Sequence, residues 1–177
     1  HGFLPAVENK EAWHWGLPFC KEDGSRPQTP AGESFEELFS NWMLREMKRD
    51  KTLIAVTAGT PAAGGFTPEK RKEAGEQHID MGIAEEQAVA MISGMAKGGL
   101  RPVWTVYSTF IQRTYDQIAQ DLCINSNPAV INVVYGGAGT MNDITHICLF
   151  DIPMLCSIPN LIYLAPTTCE EYFAMLR

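Results

Sequence analysis

The side chain with the clearest capacity for chemistry is Glu85, in the run Gly82-Ile83-Ala84-Glu85-Glu86-Gln87. It opens a predicted helix, Glu85 to Lys97, that is apolar on most sides and therefore buried. An acid at this place has an ordinary explanation, because carboxylates at helix N-termini gain about 0.3–1 kcal/mol from the backbone dipoles. It also has a chemical one. A residue that follows a strand and opens a helix faces the crevice at the carboxyl ends of a parallel sheet, where such sheets bind ligands, and a carboxyl group held there can give or take a proton. Tyr107, Phe110, Arg113 and His146 are the other side chains of interest; taken singly, each reads as a strand end, a core ring, a solvated helix arginine and a structural histidine.

Composition narrows the classes. The 177 residues are 45% apolar and 20% charged, which suits one ordinary globular domain, or at most two small ones, and excludes disordered, collagenous and coiled-coil chains. No apolar run approaches the roughly 18 residues of a membrane span; the stretch from Ala129 to Gly139 is broken by glycines. Fourteen Lys and Arg against 21 Asp and Glu leave a net charge of -7, with no basic stripe for nucleic acid. Five cysteines without C-x-x-C spacing argue against a disulfide framework or a zinc site, and point to a reducing cytoplasm. No metal site is expected within the chain. His1 in place of Met, and a helical pattern still running at Arg177, lead us to expect a piece of a longer protein.

The elements that must position Glu85 follow from patterning. Residues 1–32 hold four of the eleven prolines and show no periodicity, which predicts an irregular linker; 33–177 form the domain. A helix begins after a Ser34 cap, with Glu36 and Glu37 in its first turn, an apolar face of Phe35, Leu38, Phe39, Trp42 and Met43, and Arg45, Lys48 and Arg49 at its end. Thr52 to Thr57 is a strand, and Ala58 to Thr67 a loop. After the Glu85 helix, stopped by Gly98-Gly99, come a strand from Pro102 to Tyr107, a helix from Thr109 to Ile124, and strands over Ala129 to Tyr135 and Asn160 to Ala165. Strands separated by helices of this length predict an α/β fold: a three-layer domain with a mainly parallel central sheet.

Several segments then match one family in order. Gly82-Ile83-Ala84-Glu85, Gly98-Gly99-Leu100-Arg101-Pro102, the run Tyr107-Ser108-Thr109-Phe110-Ile111-Gln112-Arg113-Thr114-Tyr115-Asp116-Gln117, Ile158-Pro159-Asn160 and Ala165-Pro166 resemble the pyrimidine-binding domain of the 1-deoxy-D-xylulose-5-phosphate synthases. Transketolases and the β subunits of 2-oxo-acid dehydrogenases share a weaker form of the pattern. The resemblance runs from about Phe35 to Arg177, and Gly2-Phe3-Leu4-Pro5-Ala6 resembles the junction before that domain. It implies a thiamine diphosphate enzyme that transfers a two-carbon unit, as a homodimer. Glu85 would hydrogen-bond the pyrimidine N1′, Phe110 would stack on the aminopyrimidine, Tyr107 and Arg113 would line the cleft, and His146 would sit near the reacting carbon. Phe3 stands where the family has a tyrosine touching the cofactor. The family holds the diphosphate through Mg2+ in a separate domain with a Gly-Asp-Gly motif, a triplet this sequence lacks, so the metal half would belong to another domain of the same or a second chain, and the piece alone would be inactive.

The departures fall on the substrate side. Where the family has an Asp-Arg-Ala-Gly run the chain reads Val134-Tyr135-Gly136-Gly137, so the arginine that would hold a substrate phosphate is Tyr135. The aspartate of a Gly-Ala-Asp-Gly stretch falls on Asn142, and the second histidine of a His-His pair is Ile147. The resemblance therefore implies retained cofactor activation with an altered acceptor site. A transketolase acting on sugar phosphates or other aldoses, and a noncatalytic dimerisation module of the same fold, are the alternatives.

Overall fold

The computed structural model describes residues 2–14, 18–26, 34–137, 144–147 and 149–177. The chain divides into two compact units, His1–Glu33 and Ser34–Arg177. In the first, a five-residue helix α1 (Leu4–Glu8) forms where the proline-rich composition predicts none, with Pro5 in its first turn, where the missing N–H costs nothing. The rings of Phe3, Trp13 and Phe19 then gather at centroid separations of 4.9–5.4 Å, with the Arg26 guanidinium 4.4 Å from the Trp13 ring.

The second unit is built on four parallel strands in the order β2-β1-β3-β4: β1 (Leu53–Thr57), β2 (His78–Asp80), β3 (Arg101–Tyr107) and β4 (Val130–Val134). A parallel sheet must be covered on both faces, and the strands comply: β1 is buried at all five positions. Ile54 and Val56 of β1 join Trp104 and Val106 of β3 under α4 (Glu85–Lys97), whose Ala88, Val89 and Ile92 are fully buried. Leu53, Ala55 and Val103 face the other way, against Phe39, Trp42, Met43 and Met47 of α2 (Phe35–Arg49). The helix α8 (Cys169–Met175) covers this second face through Tyr172 and Phe173. Three layers result, with the expected mainly parallel sheet at the centre. Among the described residues no helix is long and apolar enough to cross a membrane.

Local signals explain most elements. α2 starts where Ser34 Oγ accepts from the Glu37 N–H at 3.2 Å, with Glu36 and Glu37 at its positive end and Lys48 and Arg49 at its negative end. The predicted 109–124 helix is helical throughout but changes pitch. It runs as α5 (Ser108–Ile111), a 3-10 turn (Gln112–Thr114), α6 (Tyr115–Gln117) and a π turn (Ile118–Ile124). Thr114 Oγ1 donates to the Ile111 carbonyl at 2.7 Å, taking an acceptor from the regular ladder. The strand expected over Asn160–Ala165 does not form: among the described residues the segment has the alternation of a strand but joins no ladder, and Ile162 and Leu164 are exposed. In this unit α3 (Pro68–Ala74) and α7 (Asp151–Cys156) went unforeseen, and the strand implied before Glu85, for which no limits were expected, is β2.

The loop after β1 lies directly on the start of α2. Gly65 has φ +69°, and a Cβ there would stand 2.1 Å from the Glu36 carbonyl oxygen. Gly65→Ala therefore combines left-handed strain with a backbone collision and should cost about 2–4 kcal/mol in denaturant unfolding. Gly75→Ala, at φ +57° with nothing within 4 Å, should cost only about 1 kcal/mol; equal losses would show that the contact at Gly65 is not tight.

Candidate active site

Glu85 is the first residue of α4 and is 3% exposed. Ala84, at the cap, makes no side-chain bond to the helix end, so the first-turn carboxylates Glu85 and Glu86 are what meets its positive end. The charged partner of Glu85 is Arg113, whose Nη1 lies 3.4 Å from Oε2. Arg113 is half exposed and sits in the 3-10 turn after α5. Among the described residues no donor meets the other Glu85 oxygen.

From Arg113 a chain of rings runs across the carboxyl ends of β3 and β4. The guanidinium carbon is 6.0 Å from the Phe110 ring. Phe110 meets Tyr107 edge-on at 5.7 Å and His146 edge-on at 5.4 Å, and Tyr107 meets Tyr135 at 5.1 Å, tilted by 31°. The turn carrying His146 is tied to α5 by Thr109 Oγ1, which donates to the Thr145 carbonyl at 3.1 Å. Thr145 Oγ1 in turn lies 2.8 Å from His146 Nδ1. These contacts occupy the place where open parallel sheets take their ligands, beside β1 and β3, where the strand order reverses.

The far end of the row is acidic. Tyr135 has φ +57°, an uncommon conformation for a bulky residue, and its carbonyl accepts from Ser108 Oγ at 3.0 Å. Its hydroxyl donates to Glu36 Oε1. Burial opposes ionisation of Glu36, but the Tyr135 hydroxyl, its own backbone and Ser34 outweigh burial and hold the carboxyl below its usual range. Burial and the nearby Glu36 charge raise both Tyr107 and Tyr135 above the usual phenol value. A Cβ on Gly136 would come within 3.6 Å of Oδ2 of Asp151, a second buried acid.

Of the residues singled out from the sequence, Glu85, Arg113, Phe110, Tyr107, His146 and Tyr135 form this one connected group. Phe3 belongs to the first unit, within its aromatic cluster. Asn142 lies outside the described residues. Glu36 and Asp151 were missed. Glu36 carries an adequate local explanation as a first-turn acid, and its partner is 99 positions away, so no spacing signal exists for it. Among the described residues no group of three or more His, Cys, Asp or Glu could hold a metal ion. What remains is a site able to hold a flat ring by aromatic contact and to hold or share one proton at a buried carboxyl group.

Residues 33–177 match the family described as transketolase, pyrimidine binding domain. The 1-deoxy-D-xylulose-5-phosphate synthase of Heliobacterium modesticaldum is 38% identical over 176 residues, 99% of this chain and 27% of that protein. Those of Desulforudis audaxviator and Proteus mirabilis are 36% and 35% identical, over 99% of the chain and 27% and 28% of their own lengths. The chain thus spans little more than a quarter of the curated relatives it matches. A solved split-gene transketolase, an inactive β4 tetramer, shares the fold at a TM-score of 0.56 with 18% identity, over 73% of this chain and 42% of its own.

The Glu85–Arg113 pair generates a test by itself. Arg113→Met leaves the buried carboxylate without its cation and should lower stability by about 1–3 kcal/mol, whereas adding Glu85→Gln should recover most of that loss. Strictly additive effects in denaturant unfolding would mean that the two groups do not interact.

Proposed function

The chain belongs to the transketolase pyrimidine-binding domain family, and from that premise we propose that it supplies the pyrimidine side of a thiamine diphosphate site in a two-carbon transferase of the deoxyxylulose-phosphate synthase type. The observation that carries this reading is the buried residue Glu85, with one carboxylate oxygen on Arg113 and the other with no protein donor among the described residues, and the same Arg113 guanidinium 6.0 Å from the Phe110 ring. Those features fit an aminopyrimidine, which offers a flat face for stacking and a ring nitrogen for a carboxyl group. When bound, thiamine diphosphate supplies an acidic thiazolium carbon that adds to ketones and 2-oxo acids and carries a two-carbon unit.

In this reading Glu85 holds or shares the proton at the pyrimidine N1′, and its burial keeps water from competing for that proton. Arg113 balances the carboxylate when it is charged. Phe110 fixes the plane of the ring, with Tyr107 and His146 against its edges. His146 reaches the acceptor side as a proton carrier. Phe3 contacts the cofactor from the segment before the domain. Mg2+ and the diphosphate are held by a domain of the same or a second chain, in a homodimer, and the free cysteines among the described residues suit a cytoplasmic protein.

The acceptor side favours an aldehyde without a phosphate. Tyr135 spends its hydroxyl on the ionised Glu36, and Arg113 is engaged by Glu85. No Lys or Arg occurs between Arg113 and Arg177, while six Asp and Glu do: Asp116, Asp121, Asp143, Asp151, Glu170 and Glu171. Asn142 contributes no charge where the family has an aspartate.

Two experiments on the full-length enzyme follow. Glu85→Gln should lower turnover by about 10² to 10⁴ and slow exchange of the thiazolium C2 proton in parallel; unchanged exchange would reduce Glu85 to a helix-terminal charge. With pyruvate as donor, unphosphorylated aldehydes should outperform glyceraldehyde 3-phosphate. Tyr135→Arg, which restores a two-pronged cation, should raise kcat/KM for the phosphorylated acceptor roughly 10- to 200-fold, the equivalent of about 1.5–3 kcal/mol. High efficiency with the phosphate in the parent, unimproved by the arginine, would contradict this assignment.

A further inference from the structure

A buried acid that must meet one ring nitrogen needs a fixed approach, and the approach to Glu85 is unusual. The segment between β2 and α4 is only Met81, Gly82, Ile83 and Ala84, and Ala84 provides no side-chain cap for the helix. Ile83 is 84% exposed, so little of its surface is buried to hold the segment in place. Two other contacts do so. The Met81 N–H donates to the Thr57 carbonyl at 2.9 Å, carrying the β1–β2 ladder one residue past β2. Then the Asp80 carboxylate closes the turn: Oδ1 accepts from the Gly82 N–H at 3.0 Å and from the Gly59 N–H at 2.8 Å.

One oxygen thereby joins the loop after β1 to the loop that leads into Glu85. Both glycines have positive φ, +74° at Gly59 and +68° at Gly82, and the two loops touch through backbone. A Cβ on Gly59 would stand 3.1 Å from Ile83 Cγ1 and 3.3 Å from Gly82 C and Ile83 N. Asp80 makes no ion pair among the described residues; its charge acts on His78, and its side-chain oxygen takes the two N–H bonds.

We propose that Asp80 is a positioning residue for Glu85, acting as a hydrogen-bond clamp that fixes the turn between β2 and α4 and so sets where the Glu85 carboxylate lies. The inference rests on the reading of Glu85 as the group that meets the pyrimidine. A displacement of about 1 Å at such a contact costs on the order of 10²-fold in rate. The acceptor matters here and the charge does not: Asn at position 80 retains an oxygen that can take both N–H groups, whereas Ala retains none.

The test uses the full-length enzyme saturated with thiamine diphosphate and Mg2+, and compares Asp80→Ala, Asp80→Asn, Gly59→Ala and Glu85→Gln. The readouts are kcat, the KM for the cofactor, the C2-proton exchange rate and the thermal midpoint. Asp80→Ala should lower kcat and exchange about 10- to 100-fold at cofactor saturation, and Asp80→Asn should restore both to within about 3-fold of the parent. Gly59→Ala pushes on Gly82 and Ile83 with Asp80 intact and should slow exchange in the same direction, which keeps the test decisive if Asp80→Ala does not fold. Slow exchange in Glu85→Gln with normal exchange in Asp80→Ala and Gly59→Ala would overturn the clamp alone. A loss confined to cofactor KM, or an Asn variant as slow as the Ala variant, would also overturn it. Normal exchange in Glu85→Gln would overturn the reading of Glu85 and the clamp with it.

Discussion

A carboxylate taken out of water costs several kcal/mol unless charge and hydrogen bonds replace what the water did, and the crevice of this domain is arranged around that constraint at Glu85. The start of α4 provides the first compensation and Arg113 the second. Arg113 stands where the 108–124 run has left the α-helical path. In a 3-10 turn each residue advances about 120° and 2.0 Å, against about 100° and 1.5 Å in an α-helix, so residues 112–114 present their side chains in directions a straight continuation of α5 would not. The Thr114 hydroxyl bond to the Ile111 carbonyl holds that change of pitch from within a fully buried position. The irregular helix belongs to the site as much as the acid does.

The parts of the fold legible in the sequence are those in which local preference and tertiary burial agree. α2 has a capping serine, acids at one end, bases at the other and an apolar stripe between them, and it forms over Phe35–Arg49. β1, β3 and β4 are rich in β-branched residues and fall within a residue of their expected limits; β1 and β3 are buried on both faces, β4 only in part. β2 is only His78-Ile79-Asp80; its strand character comes from pairing with Ala55–Thr57, which no local pattern announces. Asn160–Ala165 is the converse, a strand-like sequence that joins no ladder among the described residues although the outer edge of β4 is open to one. For the site, the resemblance to the family singled out Glu85, Tyr107, Phe110, Arg113 and His146, each of which reads as ordinary structure by itself. It could not disclose the Tyr135–Glu36 bond or the Asp80 clamp, because both join segments that meet only once the sheet is assembled.

Tyr135 shows how an uncommon backbone conformation is held in place. A bulky residue at positive φ carries a penalty of order 1–3 kcal/mol, and something must hold it there. Three contacts do so: the Ser108 hydroxyl on its carbonyl, the Tyr107 ring against its own, and the Glu36 carboxylate on its hydroxyl. Burial raises the Tyr107 and Tyr135 hydroxyls above the usual phenol value, and the Glu36 carboxylate adds to the rise, so this end of the ring row holds neutral phenols against an acid kept below its usual range.

Charge also decides what this chain must leave to its neighbours. A diphosphate is held by cations, by a metal ion or by clustered backbone N–H groups. Between Arg113 and Arg177 the chain has no Lys or Arg, and Arg113 is spent on Glu85. The aromatic row from Phe110 to Tyr135 ends on the carboxylate of Glu36, with that of Asp151 beside Gly136. Under the proposed reading, these carboxylates favour a ligand that lies with its ring toward Glu85 and its phosphates away from Glu36 and Asp151, while Lys70, whose Nζ donates to Ser40 Oγ at 2.7 Å, sets one cation against the helix that carries Glu36.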